Sequence, residues 1–380
     1  MSKKRVLILL PSFAGGGAER TILNLLNHYN RDQLEVKVCL VSYSGSYIDL
    51  IYEDDILYHS KAYKLFEKKL LQKISFGFFR LVPFIKKQIK SFKPEVIMTV
   101  TESMNYLGYF LRIMGITSNA QWIVRSGNNI FSEASSKGPF IGYFLHFLLR
   151  KTYKKANHIL TISAGIQKSI IYQFGIPSHK ITTIYNPIDI KAIQEKSKQP
   201  IAKPPQKPYI LGIGRLANQK RFDRMIRIFH ESQLASKGYK LVILGQGNLL
   251  NKLKNQVNAF KLDENVIFEG FVSNPYAFLK GAQAFILTSE WEGFAHVVAE
   301  ALACGTPVLS FKCDYGPEEI LNDGQFGHLI PQNDEKKFIN LLNTENFQNG
   351  ISKNIRLNRA MDFDINVIIA AYEQLFLSFE

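Results

Sequence analysis

Cysteine is scarce in this sequence, with three in 380 residues, at Cys39, Cys304 and Cys313. They lie in apolar or turn contexts, and their spacing matches no metal-binding motif. A disulfide framework or a cysteine-held metal site is therefore not expected. We expect reduced thiols in a cytosolic protein.

Long apolar runs are also lacking, because no stretch approaches the roughly 20 residues that cross a bilayer as a helix. The first residues, MSKKRVLILLPSF, begin basic and turn apolar, as in a signal peptide. The apolar run is short, however, and no small-residue cleavage site follows it. It predicts a buried strand instead, in a protein that is soluble or attached peripherally to a membrane.

Acidic residues are outnumbered, with 32 Asp and Glu against 47 Lys and Arg, a net charge of +15. Such a charge favours polyanions: nucleic acid, an anionic lipid surface or a phosphorylated substrate. No helix-turn-helix, zinc or RNA-binding signature is recognisable. Nucleic-acid binding therefore remains an alternative that rests on charge and interleaved aromatics, and we expect no nucleic-acid partner.

Short apolar runs recur along the first half of the chain. Their continuous apolar character predicts strands buried on both faces of a parallel sheet. They lie at 5–10, 35–42, 96–100, 122–126, 158–163 and 181–186.

A stretch with four prolines and several lysines, 191–208, interrupts this rhythm and predicts an interdomain linker. A second series of six apolar runs follows, with helical patterns between them. The fold class predicted is α/β, with two doubly wound domains facing across a cleft. A ligand is expected at the carboxyl ends of the strands.

A glycine-rich stretch, PSFAGGGAERTILNLL at 11–26, joins a predicted strand to a helix that starts near Ala18. Glycines allow close approach of the backbone to a ligand, and a helix N-terminus offers free N–H groups to an anion. The stretch is neither a Walker loop nor G-x-G-x-x-G. A flexible turn and a phosphate or substrate loop are about equally compatible with it.

Two cations, Arg215 and Lys220, lie between a predicted strand and a predicted helix in GIGRLANQKRFDRMI. At the carboxyl end of a strand they could hold a diphosphate and neutralise its charge as it leaves. The alternative is a solvated basic loop.

Two glutamates mark the stretch EWEGFAHVVAE, Glu292 in a turn and Glu300 inside the helix that begins near Ala295. Gly293 would let backbone amides face a ligand, and the helix start favours a phosphate. Glu300 suits ribose hydroxyls and Glu292 the hydroxyls of whatever the diphosphate carries. A further turn with Gly316, in CDYGPEEIL, repeats this design.

The motifs GGGAER, GRLANQKRFD, EWEGFAHVVAEALACGTPV and YGPEEIL follow one another in this order, with ISAGIQKSI and IYNPID between the first two. In this combination the chain resembles glycosyltransferase family 4, the retaining nucleotide-sugar transferases of the GT-B fold. The resemblance covers nearly the whole chain. It implies Rossmann-like domains at 1–190 on the acceptor side and 209–361 on the donor side, with a C-terminal helix, 362–380, crossing back to the first.

The resemblance also implies residue roles. Arg215 and Lys220 would grip the donor diphosphate, Glu292 would act near the donor sugar, and Glu300 would bind the ribose. The catalytic candidates are thus Glu292, Arg215 and Lys220. The loops expected to face the donor comprise Gly16 and Gly17, and Gly293, Phe294 and Ala295.

One departure concerns the acceptor side. Many family members carry a histidine after the strand that corresponds to WIVRSGNN, and this chain has none there. Arg125 and Asn128 are the candidates that could replace it in binding.

No metal and no other cofactor is expected. The one Asp-x-Asp, Asp362 and Asp364, precedes the last helix and is interpreted as a helix cap. The cations and helix ends could hold the diphosphate of a nucleotide-sugar, which we expect to be a UDP-sugar because of the resemblance.

Two basic stretches rich in aromatic residues, 61–93 and 140–155, lie in the first domain. Such segments bind anionic membrane surfaces. The alternative is apolar residues facing the core and solvated lysines. We expect a cytoplasmic enzyme, peripheral on the inner face of the cell membrane, that transfers a sugar to a lipid-linked glycan or a lipopolysaccharide or capsule precursor. A nucleotide-sugar epimerase or a phosphorylase on the same scaffold is the other alternative.

Overall fold

The computed structural model describes residues 3–13, 16–45, 47–57, 77–127, 139–206, 208–348 and 350–379, with the side chains of 77–80 and 139–141 excepted. The chain divides into two compact units. The first comprises Met1–Pro187 and Ile365–Glu380, and the second Ile188–Asp364.

Each unit contains a six-stranded parallel sheet, as predicted. The order is β2-β1-β3-β4-β5-β6 in the first and β12-β11-β10-β7-β8-β9 in the second. The strands are β1 Lys4–Leu10, β2 Leu34–Leu40, β3 Val96–Val100, β4 Gln121–Ser126, β5 His158–Thr161, β6 Ile181–Thr183, β7 Tyr209–Ile213, β8 Lys240–Leu244, β9 Val266–Gly270, β10 Ala284–Leu287, β11 Val308–Lys312 and β12 His328–Pro331.

Helices flank both sheets, which is why the strands are continuous apolar runs. The helices are α1 Gly17–His28, α2 Gly77–Phe92, α3 Glu102–Ile113, α4 Pro139–Lys155, α5 Ala164–Phe174, α6 Ile190–Lys196, α7 Phe222–Glu231, α8 Leu250–Ala259, α9 Tyr276–Gly281, α10 His296–Ala303, α11 Gly316–Ile320, α12 Glu335–Thr344, α13 Lys353–Met361 and α14 Ile365–Leu377. None of the described helices is long and apolar enough to cross a membrane.

The last helix, α14, belongs to the first unit. Its Ile368, Ile369 and Phe376 lie in the same buried cluster as Val6 and Ile8 of β1. The helix packs against α1 and β1. The C-terminal segment is thus part of the core of the unit that contains the N-terminus.

The predicted linker, 191–208, is wrong in its first part. Those residues lie in α6, whose Ile190 and Ile193 are buried. The side chain of Asp189 caps the helix by accepting a hydrogen bond of 2.9 Å from the amide of Ala192. The helix packs against α9 and α10 of the second unit. The four prolines that follow favoured a linker over the whole stretch, so the helical spacing of Ile190 and Ile193 was overlooked in the sequence.

The strand order of the second sheet places its switch point between β7 and β10. From β7 the chain adds β8 and β9 on one side, and then β10, β11 and β12 on the other. β7 and β10 are neighbours, with Ile210 opposite Ala284 and Leu211 opposite Phe285. Loops leaving the carboxyl ends of two such strands form a crevice that commonly binds ligands.

Candidate functional site

Lys220 and Glu292 meet at this switch point, in the segments that follow β7 and β10. The ammonium nitrogen Nζ of Lys220 lies 2.5 Å from the carboxylate oxygen Oε1 of Glu292. The side chains are 19% and 7% exposed. The prediction that both residues belong to one end of the sheet agrees with this geometry, although the direct ion pair between them was not foreseen.

Hydrogen bonds join the two segments on either side of the ion pair. The side-chain amide of Gln219 donates to the carbonyl of Trp291 at 2.8 Å. The amide of Glu290 donates to the carbonyl of Gln219 at 2.8 Å. Thr288 donates from its hydroxyl to the carbonyl of Lys220 at 3.1 Å. The spacing of the ion pair is therefore set by the backbone and not only by the two charges.

The carboxylate of Glu292 is held through one of its oxygens. The hydroxyl of Ser289, itself fully buried, donates to Oε1 at 2.6 Å, so Oε1 accepts from both Ser289 and Lys220. The other oxygen, Oε2, has no hydrogen bond to any residue that the structure describes. Sequence reasoning missed Ser289. A small hydroxyl residue at the strand exit, three positions before Glu292, is the signal that could have found it.

The backbone of Glu292 is fixed by the segment before α11. Its amide donates to the carbonyl of Asp314 at 2.5 Å, and its carbonyl accepts from the amide of Tyr315 at 2.7 Å. A Cβ atom at Gly316 would lie 2.2 Å from the carbonyl oxygen of Phe294. Gly316 is therefore required for the close approach of this segment to the turn after Glu292.

That turn, 293–295, leads into α10. Ala295 precedes the helix with φ +63° and ψ +63°, a left-handed conformation that is uncommon outside glycine. Phe294 is 2% exposed and its ring packs edge-on against the ring of Phe363 at 5.4 Å. A buried aromatic side chain thus anchors the turn, and α10 begins at the same edge of the sheet as the ion pair.

The remaining predicted donor residues of this unit differ in exposure. Arg215 is exposed, and its guanidinium forms no hydrogen bond or ion pair with the described residues. Glu300 lies in the second turn of α10 and is 4% exposed. Arg221, by contrast, is paired with Glu290 at 2.6 Å and Asp223 at 3.2 Å. Arg215 is therefore available to an anion and Arg221 is already neutralised.

The pKa values of two buried thiols, Cys313 and Cys304, are shifted by burial and by the charged site residues near them. Burial raises the pKa of the Cys313 thiol well above its usual value; Glu292 adds to the rise and Lys220 opposes it. Burial, with a smaller contribution from Glu300, raises the pKa of Cys304 to about 12. These raised pKa values disfavour the thiolate form that a cysteine nucleophile needs.

The other predicted site residues belong to the first unit. Gly16 is the N-cap of α1 and Gly17 its first residue. Arg125 is only 1% exposed; its Nε donates to the hydroxyl of Tyr372 at 3.2 Å and its Nη2 to Oδ1 of Asn186 at 2.6 Å. The guanidinium thus connects β4 with α14. Asn128, the other acceptor-side candidate, lies outside the described residues.

Two further features lie apart from the ion pair. A cavity of about 420 Å³ between β12 and α12 is lined by none of the predicted site residues.

Asp362, predicted as a helix cap, forms an ion pair of 2.6 Å with Arg359. Over the ranges described, no group of three or more His, Cys, Asp or Glu residues could hold a metal ion.

Solved structures show which fold the two sheets form. The apo lipopolysaccharide outer core galactosyltransferase WaaB superimposes with a TM-score of 0.72 at 19% identity, over 99% of each chain. HepE of Anabaena, in complex with UDP-glucose, gives 0.73 at 18% identity, over 98% of this chain and 99% of its own. The likeness shows that the chain has the GT-B fold, with its two Rossmann-like sheets.

The sequence comparisons give the family. Residues 15–192 match the description "Glycosyltransferase Family 4", and residues 193–356 match "Glycosyl transferases group 1". The chain belongs to glycosyltransferase family 4 and is a glycosyltransferase.

Several relatives have named activities, among them the following two. One is the N-acetylgalactosamine-N,N'-diacetylbacillosaminyl-diphospho-undecaprenol 4-alpha-N-acetylgalactosaminyltransferase of Campylobacter jejuni, 29% identical over 89% of this chain and 88% of its own. Another is the lipopolysaccharide 1,6-galactosyltransferase of Salmonella typhimurium, 32% identical over 50% of this chain and 52% of its own. The names of these relatives describe transfer to lipid-linked and lipopolysaccharide acceptors.

Proposed function

We propose that this protein is a retaining, metal-independent glycosyltransferase that moves a sugar from a UDP-sugar to a lipid-linked glycan or a lipopolysaccharide or capsule precursor. One observation carries the proposal: Oε1 of the Glu292 carboxylate accepts hydrogen bonds from Lys220 and Ser289, while Oε2, at the switch point of the second sheet, has no hydrogen-bond partner among the described residues. An oxygen in this state can accept a hydrogen bond from a sugar hydroxyl. Neighbours that bind UDP and UDP-glucose support a UDP-sugar as donor.

In the proposed complex the diphosphate lies between Arg215 and the start of α10. Arg215 is free to pair with it, and the helix N-terminus favours its negative charge. Lys220 can turn from Oε1 to a phosphate oxygen, because Ser289 still holds the carboxylate. These cations would neutralise the charge that develops on the departing UDP, which is the work that a metal ion does in other transferases.

Retention places the incoming acceptor on the face from which UDP departs. The bond between the anomeric carbon and the diphosphate oxygen breaks, the acceptor oxygen bonds to that carbon, and the acceptor proton passes to the released diphosphate. No residue needs to act as a covalent nucleophile. Glu292 would bind the sugar in the orientation that this path requires, and Glu300 would bind the ribose.

The names of the relatives support a lipid-held acceptor. We therefore propose that the enzyme works at the inner face of the cell membrane, where a cytoplasmic donor meets such an acceptor. We also propose that Gly16 and Gly17 form a loop that contacts the donor.

A nucleotide screen tests the donor. Thermal unfolding is measured with UDP, GDP, ADP and their common sugar conjugates, since a ligand that binds only the folded state raises its stability. At 100 times its dissociation constant, a bound nucleotide adds about 2.7 kcal/mol. UDP should raise the melting temperature most, and a larger response to GDP or ADP would contradict the proposed donor.

Transfer itself is tested by product analysis. The anomeric proton of the product, observed by NMR, should show the same configuration as the donor, and an inverted product would overturn retention. Turnover in EDTA should equal turnover in Mg²⁺. Activity abolished by EDTA and restored by Mg²⁺ would overturn metal independence.

A further inference from the structure

Helix α4 exposes three large aromatic side chains. Tyr143 is 78% exposed, Phe144 61% and Phe147 50%. Single exposed apolar residues are common on protein surfaces, but neighbouring ones on two successive turns form a patch that marks an interaction site.

The exposed aromatic residues share their side of the helix with a cluster of cations. We call this surface the α4 face. It comprises seven exposed residues: Tyr143, Phe144, Phe147, Arg150, Lys151, Lys154 and Lys155. At about 100° per residue, these seven positions fall within an arc of about 140° around the helix axis. The opposite side of the helix is buried through Leu149, Thr152 and Tyr153. The sequence of α4 contains no acidic residue.

Helix α2 offers a contrast within the same unit. It is also basic, with exposed Lys86, Lys87 and Lys90, but its Leu81 and Ile85 are buried. For the described side chains of α2, the alternative of core-facing apolar residues and solvated lysines is therefore the better description. Among the described side chains of the two basic stretches, only those of α4 combine exposed aromatic area with charge.

We propose that the α4 face docks on an anionic membrane surface. A helix lying in the plane of the interface buries aromatic rings among the headgroups and acyl ends, while cations on the same face meet anionic lipid. Nζ of Lys151 lies 5.3 Å from the centre of the Phe147 ring, and its long stem can pass the ring toward the headgroups. The 17 residues of α4 lie on the membrane and do not cross it.

The arrangement favours lipid over nucleic acid. Stacking platforms for single strands interleave aromatic rings with cations along the bound backbone. On α4 the rings occupy the first half and the cations the last two turns, which suits insertion at one end and headgroup contact at the other. The purpose of docking rests on the proposed function, because a lipid-linked acceptor is held at that surface, but docking itself needs neither donor nor acceptor.

Vesicle co-sedimentation tests the docking. The full-length protein is mixed with vesicles of phosphatidylglycerol and phosphatidylcholine in equal parts, or of phosphatidylcholine alone. The wild type should bind the anionic vesicles and bind the neutral ones at least tenfold more weakly. K151Q/K154Q should weaken anionic binding about 25-fold, at about fivefold per cation. F144S/F147S should also weaken it at least tenfold.

The matched control is K86Q/K87Q on α2, which makes the same change of net charge. Its affinity for the anionic vesicles should lie within about threefold of the wild-type affinity. A loss of affinity equal to that of K151Q/K154Q would mean that net charge alone determines binding, and would overturn the proposal that the α4 face docks on the membrane. Tighter binding to a single-stranded oligonucleotide than to anionic vesicles would also overturn it. The UDP-induced rise in melting temperature should be equal in all variants. A protein that docks but shows no nucleotide response would contradict the proposed function and leave docking intact.

Discussion

The ammonium of Lys220 lies 2.5 Å from the carboxylate of Glu292, in a setting where only 7% of the glutamate side chain is exposed. Removing one partner of such a pair leaves the other charge uncompensated, at a cost of about 3–5 kcal/mol in buried settings. The pair therefore has a structural effect as well as its proposed catalytic one. A substitution at Glu292 must therefore keep the shape of the side chain if it is to separate the structural effect of the ion pair from its catalytic effect.

The first prediction concerns Glu292→Gln. The amide keeps an acceptor oxygen for Ser289 and Lys220, so the free energy of unfolding should fall by only about 1–2 kcal/mol. The turnover number should fall at least about 100-fold, the usual effect of removing one preorganised charged or polar group from an active site. Steady-state kinetics and thermal unfolding measure the two effects. Glu292→Ala should cost more stability than Glu292→Gln and lose at least as much turnover.

The control for this prediction is Glu290→Gln in the same loop. Its ion pair with Arg221 is 2.6 Å long but the side chains are 42% and 33% exposed, and exposed pairs contribute about 0–1 kcal/mol. Both stability and turnover should stay near wild type. A Glu292→Gln enzyme with the wild-type turnover number would remove Glu292 from the mechanism.

The second prediction concerns Ser289, which we place as a positioning residue. Ser289→Ala removes the 2.6 Å hydrogen bond to Oε1 and leaves Lys220 as the only described donor to it. Turnover should fall about tenfold, as a charged hydrogen bond of about 1.5 kcal/mol predicts, with the donor KM little changed. Ser310→Ala is the control, since that serine is equally buried but donates to the carbonyl of Phe311. Equal losses in both variants would mean that Ser289 matters for packing alone.

The third prediction concerns Arg215→Gln. Because the guanidinium is exposed and makes no bond to the described residues, stability should change by less than about 0.5 kcal/mol. The rise in melting temperature caused by UDP should shrink, and the donor KM should rise at least about tenfold, because a charge-assisted bond to phosphate is lost. Arg221→Gln, which removes a cation already paired with Asp223 and Glu290, should retain the UDP response. An unaltered response in Arg215→Gln would contradict its role.

The sequence predicted the strands well and the side-chain contacts poorly, for physical reasons. A strand buried on both faces leaves a continuous apolar run, so all six runs of each half could be read directly. The clustering of Lys220 and Glu292 followed from their positions at strand ends. Ser289 could not be distinguished from other small polar residues at turns. The burial of Arg125 could not be predicted from the sequence, because its partner, Tyr372, lies 247 positions away.

The fourth prediction concerns Gly245, in the loop after β8. Its φ is +141°, and a Cβ atom there would lie 1.9 Å from the carbonyl oxygen of Gly214, next to Arg215. Gly245→Ala should displace that loop, lower the free energy of unfolding by at least about 2 kcal/mol and weaken the UDP response. Gly238→Ala is the matched control, with φ +83° and nothing within 4 Å of the added atom. It should lose only about 1 kcal/mol and keep the response.

The fifth prediction separates two roles of Arg125. If its guanidinium serves to tie β4 to α14, then Arg125→Gln and Tyr372→Phe should each lower the free energy of unfolding. Their effects should also be coupled, because the two side chains share a 3.2 Å hydrogen bond. A coupling energy of about 0.5–3 kcal/mol in a double-mutant cycle is expected for residues in contact.

The control for that cycle is Tyr209→Phe in the second unit, which loses a buried hydroxyl bonded to the carbonyl of Phe278 at 2.7 Å. Its effect should add to that of Arg125→Gln without coupling, because the residues share no partner. Binding of the acceptor by Arg125 predicts a different result. In that case Arg125→Gln would raise the acceptor KM while Tyr372→Phe would leave it unchanged. With 1% of Arg125 exposed and two of its donors engaged within the first unit, we expect the coupled loss of stability.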